Sequence, residues 1–165
     1  MEQLDAAQLA FVFDTTQSMD PMVNKARESL VAIIQQLIKN TSGRFHMQTA
    51  LVEYKDVDDA DHIRVMDFTT PEEVTQALDR IRCGGGGDLP EDVLGGLVHA
   101  LEELSWGRSC RNLLLIADAP PHGERYGDSV ACGVRTAGRF KDGAIPLSAV
   151  KGKYTAKVTQ VLETQ

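Results

Sequence analysis

The chain has 165 residues, and its 17 Lys and Arg against 24 Asp and Glu give a formal net charge of −7 at pH 7. Nucleic acids and anionic membranes bind basic surfaces, so this acidic balance excludes both as general partners. No apolar run approaches the roughly 18 residues that a membrane span needs. The length is typical of one domain, and we expect residues 1–165 to form a single domain.

The N-terminus and the cysteines predict the compartment. The first five residues, Met1 to Asp5, have neither a basic region nor an apolar one, so no signal peptide is expected. Cys83, Cys110 and Cys132 are odd in number and widely spaced, which fits neither a disulfide framework nor a zinc site. Free thiols in a reducing environment follow, and we expect a cytoplasmic protein.

The N-terminal segment has the pattern of a buried strand followed by a helix. Leu9–Phe13 is a continuous apolar run ending at Asp14, which is typical of a strand covered on both faces. The pair Asp20-Pro21 combines a cap residue with Pro at the first helical position and predicts a helix start. Apolar residues at helical spacing run from Val23 to Ile38, and the stop lies at residues 40–43.

The next two predicted strands, Phe45–Tyr54 and His62–Phe68, are joined by the acidic turn Lys55–Asp61. So short a connection predicts an antiparallel hairpin, with the second strand of the pair at the sheet edge. The aspartates of the turn do not have EF-hand spacing and the required Gly is absent. We therefore interpret the turn as a solvated acidic surface.

Two more helices and another strand follow. Thr70-Pro71 opens a helix carried by Val74, Leu78 and Ile81, and Cys83–Asp88 is a glycine-rich loop. Pro90-Glu91-Asp92 opens the next helix. Its predicted apolar face consists of Leu94, Leu97, Leu101 and Leu104. Gly95-Gly96 inside that helix costs helix stability, so we expect close packing on the sheet.

The remaining segments complete an alternation of strands and helices. Leu113–Ala117 is a second apolar run, and it also ends in an aspartate, Asp118. A loop, a weaker helix, a last strand and a terminal helix are predicted at Pro120–Gly123, Ser129–Phe140, Ala144–Val150 and Thr155–Glu163. The pattern predicts an α/β fold with an open, mostly parallel sheet, one antiparallel edge strand and helices on both faces.

Oxygen-bearing side chains follow the strands of this sheet. Ligands of open parallel sheets gather beyond the carboxyl ends of the strands, where Asp14, Thr16, Ser18, Asp88 and Asp118 should converge. Carboxylate and hydroxyl oxygens suit a hard cation such as Mg²⁺. Taken singly, each residue has a local explanation as a cap or turn residue. Their common position at one sheet edge favours a metal site.

The motifs resemble those of one known family. Phe13-Asp14-Thr15-Thr16-Gln17-Ser18-Met19 resembles the Asp-x-Ser-x-Ser motif of von Willebrand factor A-type domains, with Thr in place of the first Ser. The segments Gly85–Asp92 and Ile116–Gly123 resemble the second and third motifs of an intracellular branch. That branch includes the A-type domain attached to alpha-type protein kinases. The likeness runs from about Leu9 to Gly123.

This resemblance implies a Rossmann-like domain with a metal-ion-dependent adhesion site and no enzymatic activity. The implied ligands are Asp14, Thr16, Ser18 and Asp118, for Mg²⁺ or alternatively Mn²⁺ or Ca²⁺. The second-loop Thr of the family has no match, because Gly86 or Gly87 stands in its place, and Asp88 is the candidate replacement. The implied partner is a protein that offers an Asp or Glu to the cation, and the domain would belong to a larger protein or complex.

An alternative hypothesis is a phosphatase of the haloacid-dehalogenase type. There Asp14 would be the nucleophile that attacks phosphate beside Mg²⁺. Thr16 stands where those enzymes carry their acid/base Asp, which weighs against this alternative. His122 lies near the predicted site, and we interpret it as a loop histidine bonded to the backbone, with an indirect role beside the metal ligands or a role in contact with a substrate as the alternative.

Overall fold

The computed structural model describes residues 6–41, 46–87, 90–107 and 110–122. Over these ranges the elements in chain order are β1 (Ala6–Asp14), α1 (Val23–Thr41), β2 (His46–Tyr54), β3 (Ile63–Thr69), α2 (Pro71–Arg80), α3 (Val93–Glu102) and β4 (Cys110–Ile116). The helix, strand and terminal helix predicted after residue 128 lie outside the described residues. None of the described helices has the length and apolar character needed to cross a membrane.

The described strands form one sheet in the order β3-β2-β1-β4. β1 pairs in parallel with β2 and with β4, whereas β2 and β3 pair antiparallel. The predicted hairpin and its edge strand are therefore confirmed. Because β1, β2 and β4 run in the same direction, their carboxyl ends meet at one edge of the sheet.

The central strand β1 is buried on both faces, as its apolar run predicts. Its side chains alternate between two cores, here called the α1–α2 core and the α3 core. The α1–α2 core contains Phe11 and Phe13, and the α3 core contains Ala10 and Val12. Burying each large side chain contributes about 1.5–3 kcal/mol. The second apolar strand, β4, divides its leucines and Ile116 between the same cores, but they are only half-buried.

The α-helix α1 begins later than the sequence predicts. A short 3-10 turn, Gln17–Met19, follows β1, and the chain continues in turns until Val23. The backbone amide of Met22 donates to the carbonyl of Met19 at 2.9 Å, a three-residue spacing that delays the α-helical pattern. The predicted start at Asp20-Pro21 is therefore wrong by two to three residues.

The predicted start of α3 is also corrected. Glu91 pairs in a short parallel bridge with Pro121, so its backbone is extended and the helix begins at Val93. Asp92 caps the helix, since its carboxylate accepts from the amide of Gly95 at 2.9 Å. Pro90 and Glu91 therefore belong to the loop that precedes the helix.

The face of α3 that packs against the sheet includes two of the predicted leucines and Gly96. Leu97 and Leu104 contact the α3 core as predicted, but Leu94 and Leu101 are only half-buried and belong to neither described core. A Cβ atom on Gly96 would lie 2.8 Å from the Tyr54 ring. Gly96 therefore allows the close helix–sheet packing that the sequence predicts.

A polar and aromatic cluster joins β3 to the segment after α3. The Asp67 carboxylate accepts from Ser105 Oγ at 2.6 Å, from Ser105 N at 2.8 Å and from Phe68 N at 2.7 Å. The rings of Phe68 and Trp106 pack edge to face with centroids 4.7 Å apart. Partial burial raises the pKa of Asp67, but the hydrogen bonds from Ser105 and Phe68 outweigh it and hold that pKa below the ordinary value.

We expect Asp67→Asn to lower the free energy of unfolding at pH 7 by about 1 kcal/mol, because a neutral amide accepts these hydrogen bonds less well and the site is exposed. A carboxyl whose pKa is lower in the folded state stabilises the fold above its unfolded pKa, and this stabilisation is lost as the pH falls. Urea unfolding between pH 3 and 7 should therefore show a smaller loss of stability on acidification in Asp67→Asn. Asp61→Asn, at an exposed pair with Arg64, is the control. Parallel pH profiles in wild type and Asp67→Asn would contradict this account.

Candidate metal centre

The site lies at the edge of the sheet where the parallel strands end. Asp14 is the last residue of β1 and pairs across the ladder with Tyr54, the last residue of β2. Asp118 follows β4 by two residues. Asp14 is fully buried, whereas Asp118 is exposed. The two aspartates are connected through residues of the loop that follows β1, here called the first loop.

A chain of oxygen atoms connects the two aspartates. Thr16 Oγ1 donates to Asp14 Oδ1 at 2.7 Å, and Ser18 Oγ donates to Asp118 Oδ1 at 3.0 Å. The hydroxyl oxygens of Thr16 and Ser18 lie 3.1 Å apart. Thr16 N also donates to Asp14 Oδ1 at 2.9 Å. The structure thus brings together four of the five predicted ligands; the fifth, Asp88, lies outside the described residues.

The row of four oxygen atoms has too few protons for its contacts, which points to a missing positive charge. Three contacts link the four oxygens, and each would need one proton to be a hydrogen bond. With both carboxylates ionised, only the two hydroxyl groups supply protons. When Thr16 and Ser18 donate to their aspartates, their facing oxygens present lone pairs to each other. A cation, or an extra proton on a carboxyl group, would resolve this contact.

The spacing and chemistry of the oxygens fit a small hard cation. Neighbouring octahedral ligands about 2.0–2.1 Å from Mg²⁺ are roughly 2.9 Å apart, close to the contacts along this chain. No group of three His, Cys, Asp or Glu side chains suited to a metal occurs among the described residues. A cation here would therefore depend on two carboxylates and two hydroxyls. This donor set leaves coordination positions for water or for a visiting ligand.

Electrostatics at Asp14 bear on the choice between a cation and an extra proton. Burial raises the pKa of Asp14, hydrogen bonds from Thr16 lower it, and the negative charge of Asp118 raises it again, so that the pKa lies above the ordinary value. The described groups that act on Asp14 are hydroxyls, an amide and a second carboxylate. A bound cation would stabilise the ionised form, which burial otherwise disfavours.

The glycine-rich loop is hydrogen-bonded to the first loop. Gly84 N donates to Thr15 O at 3.0 Å, and Gln17 N donates to Gly85 O at 3.1 Å. Gly86 has a φ of 75°, and a Cβ atom there would lie 3.2 Å from Thr16 Cβ and 2.6 Å from Glu91 Oε1. Glycine is therefore required both for the backbone conformation and for the close approach to Thr16.

Tyr54 is a site residue that the sequence analysis did not assign. Its hydroxyl lies 3.4 Å from Asp14 Oδ2, the carboxylate oxygen that Thr16 leaves open. Burial raises the pKa of Tyr54, and the negative charge of Asp14 raises it further, so the hydroxyl stays protonated and can donate. The sequence feature that could have identified Tyr54 is its position as the last residue of the strand beside β1.

The acidic turn after β2 is not simply solvated, which corrects that interpretation. Asp56 is 2% exposed, and its Oδ1 lies 2.8 Å from Nε2 of the buried His122. The ring of His122 therefore bonds to a carboxylate, a partner that the sequence analysis did not predict. Asp59 accepts from Gly86 N at 2.9 Å. Asp56 follows β2 by two residues, so the strand-end rule could have identified it.

The geometry disfavours the phosphatase alternative. A nucleophilic carboxylate needs an open approach to phosphorus, but Asp14 is fully buried. One of its oxygens accepts from Thr16, and the other faces the Tyr54 hydroxyl. The exposed part of the site belongs instead to Ser18 and Asp118.

Comparisons with known proteins agree with the fold and the motifs. A family model described as the von Willebrand factor A domain matches residues 8–136. The alpha-protein kinase vwkA of Dictyostelium discoideum is 32% identical over 125 residues, which are 74% of this chain. The same match covers 20% of vwkA, so the chain spans about a fifth of the length of that relative.

Solved structures are similar in fold. The vWF domain of the pili tip protein Mfa5 from Porphyromonas gingivalis has a TM-score of 0.56 and 18% identity, covering 70% of this chain and 38% of that one. Proximal thread matrix protein 1 from the mussel byssus has a TM-score of 0.57 and 16% identity, covering 94% of this chain and 35% of that one. At such identities the likeness concerns the fold alone.

Proposed function

The chain belongs to the von Willebrand factor A domain family, whose members are in general protein-interaction modules, and we propose that it binds its partner through a divalent cation. The residues that would hold the cation are Asp14, Thr16, Ser18 and Asp118. Mg²⁺ is the proposed metal, with Mn²⁺ and Ca²⁺ as alternatives. A bound cation would supply the positive charge that attracts an Asp or Glu of the partner.

The proton shortage in the oxygen chain is the observation that carries this proposal. The facing hydroxyl oxygens of Thr16 and Ser18, 3.1 Å apart, are each already engaged as donors to a carboxylate. Four oxygens that follow two different strand ends thus lie in consecutive contact, and a positive charge beside them would relieve the contact between the two hydroxyls. The all-oxygen donor set supports Mg²⁺ over metals that prefer nitrogen or sulfur.

The exposure of the ligands supports a bridging role. Asp14 and Thr16 are buried and hold the inner side of the site, whereas Ser18 and Asp118 are exposed. A partner could therefore approach from the solvent side without displacing the buried ligands. Two protein carboxylates would balance the charge of a divalent cation, and an acid group of the partner would bind at the side that faces solvent.

Three broader assignments belong to the same proposal. The domain is non-enzymatic, it acts as part of a larger protein or complex, and it works in the cytoplasm. The match to one fifth of vwkA supports the second of these. The enclosed carboxylate of Asp14 supports the first.

The proposal is tested by titrating metal-free protein with Mg²⁺ and following backbone amides by NMR, then adding acetate as a simple carboxylate probe. We expect saturable shifts at Thr16 and Ser18 with Mg²⁺, and further shifts with acetate only when Mg²⁺ is present. Acetate shifts that persist in a chelator would contradict metal bridging. Mg²⁺-dependent hydrolysis of an aryl phosphate would support the phosphatase instead.

A further inference from the structure

Asp56 and His122 form a buried pair beside the candidate metal centre. His122 Nε2 lies 2.8 Å from Asp56 Oδ1, and each side chain is only 4% exposed. Asp56 follows β2 by two residues, and His122 lies four residues after Asp118 in the loop after β4. The pair therefore joins the two loops that leave the site edge on either side of β1.

The Asp56 end of this pair is held firmly by its own loop. Asp56 Oδ1 also accepts from Val57 N at 2.7 Å, and the Asp56 carbonyl accepts from Asp59 N at 3.0 Å. The Asp59 carboxylate accepts from Asp56 N at 3.2 Å and from Gly86 N at 2.9 Å. The turn after β2 is thus closed on itself and tied to the glycine-rich loop.

The His122 end anchors the loop that carries Asp118. Glu91 N donates to Pro120 O at 3.0 Å, and His122 N donates to Glu91 O at 3.4 Å. The imidazole contact with Asp56 adds a side-chain anchor to these two backbone contacts. Asp118 itself is exposed and accepts from Ser18, so its position over the site depends on how the rest of its loop is held.

Energetics indicate a geometric role for the pair. Burying two ionisable groups costs desolvation energy that their attraction often does not exceed, so such a pair is a poor source of stability compared with apolar packing. We infer that Asp56 and His122 are positioning residues that hold the Asp118 loop in the geometry needed for cation binding. This inference rests on the proposed function. Groups that orient metal ligands commonly change metal affinity by 10–100-fold.

The test measures Mg²⁺ affinity by calorimetry on the full chain with three substitutions at one position. His122→Ala removes the contact, His122→Asn has a side chain too short to reach Asp56, and His122→Gln can still reach it. We expect Ala and Asn to weaken Mg²⁺ binding 10–100-fold and Gln to retain most of the affinity. His46→Ala, at an exposed histidine at the opposite end of β2, should bind as wild type does.

Hydrogen exchange in a chelator separates this inference from the proposed function. In metal-free protein, the amides of Asp118, Ala119 and His122 should exchange faster in the Ala and Asn variants than in the Gln variant. Should His122→Ala fail to fold, the comparison of Asn with Gln decides. Wild-type affinity and exchange in both disrupting variants would overturn the positioning role. Absence of Mg²⁺ binding in wild type would instead overturn the proposed function, and exchange alone would then report on the pair.

Discussion

Asp14→Asn should lower Mg²⁺ affinity at least 100-fold. The substitution preserves the shape of the side chain, and its carbonyl oxygen can still accept from Thr16. It removes one of the two negative charges that face the proposed cation. At a separation of about 4 Å and an effective dielectric constant near 20, two unit charges attract by roughly 4 kcal/mol, and a doubly charged ion attracts one carboxylate charge by about twice that, which exceeds the ~2.8 kcal/mol of a hundredfold change. Isothermal calorimetry with Mg²⁺ measures the loss directly.

The stability of the same variant distinguishes a metal ligand from a purely structural residue. Burial raises the pKa of Asp14, so the ionised carboxylate is disfavoured in the metal-free fold. We therefore expect Asp14→Asn to be at least as stable as wild type in a chelator, and less stable than wild type at saturating Mg²⁺. Asp61→Asn, at an exposed aspartate after β2, should change neither quantity. Unchanged Mg²⁺ affinity in Asp14→Asn would remove Asp14 from the site.

Gly96→Val should lower the free energy of unfolding by about 3 kcal/mol. A Cβ atom at this position would lie 2.8 Å from Tyr54 Cδ1 and 3.1 Å from Val12 Cγ1. Both side chains belong to the α3 core and are fully buried. Val12 lies in the central strand and Tyr54 ends β2, so neither can move without disturbing the sheet. The helix must therefore shift outward. Urea unfolding in a chelator, followed by circular dichroism, measures the loss.

The matched control places the same residue elsewhere in α3. Leu94→Val introduces a β-branched side chain into the same helix, but Leu94 belongs to neither described core. We expect it to cost less than about 1.5 kcal/mol. Helix propensity alone favours Val over Gly, so a loss in Gly96→Val no larger than that in Leu94→Val would contradict the contact with Tyr54 as its cause.

Local patterns predicted the parts of the fold that depend on short stretches of chain. The run Leu9–Phe13 is apolar at every position because β1 contributes to two cores, and this shows in five consecutive residues. The acidic connection after Tyr54 is short, and this local feature predicted the antiparallel hairpin. Helix starts were less accurate. The 3-10 turn before Val23 and the bridge of Glu91 to Pro121 displace α1 and α3 from their sequence signals.

The candidate site was predictable where a residue's role follows from its position on a strand. Asp14 and Asp118 each follow an apolar run, and parallel strands deliver such residues to a common edge. Asp56 follows β2 in the same way, but its acidic neighbours made a solvated turn the simpler interpretation. Asp56 contacts His122, which is 66 residues away, and no local pattern encodes that contact.

The amino-acid sequence by itself determined the order of strands and helices, the antiparallel edge and the oxygen-rich first loop, because side-chain periodicity and strand-end residues are properties of contiguous chain. The tertiary structure alone decided that Thr16 and Ser18 face each other between two aspartates, that Tyr54 reaches Asp14, and that Asp56 meets His122. These contacts depend on strand register and on how three loops close over one edge, and both are set by packing between segments that are distant in sequence.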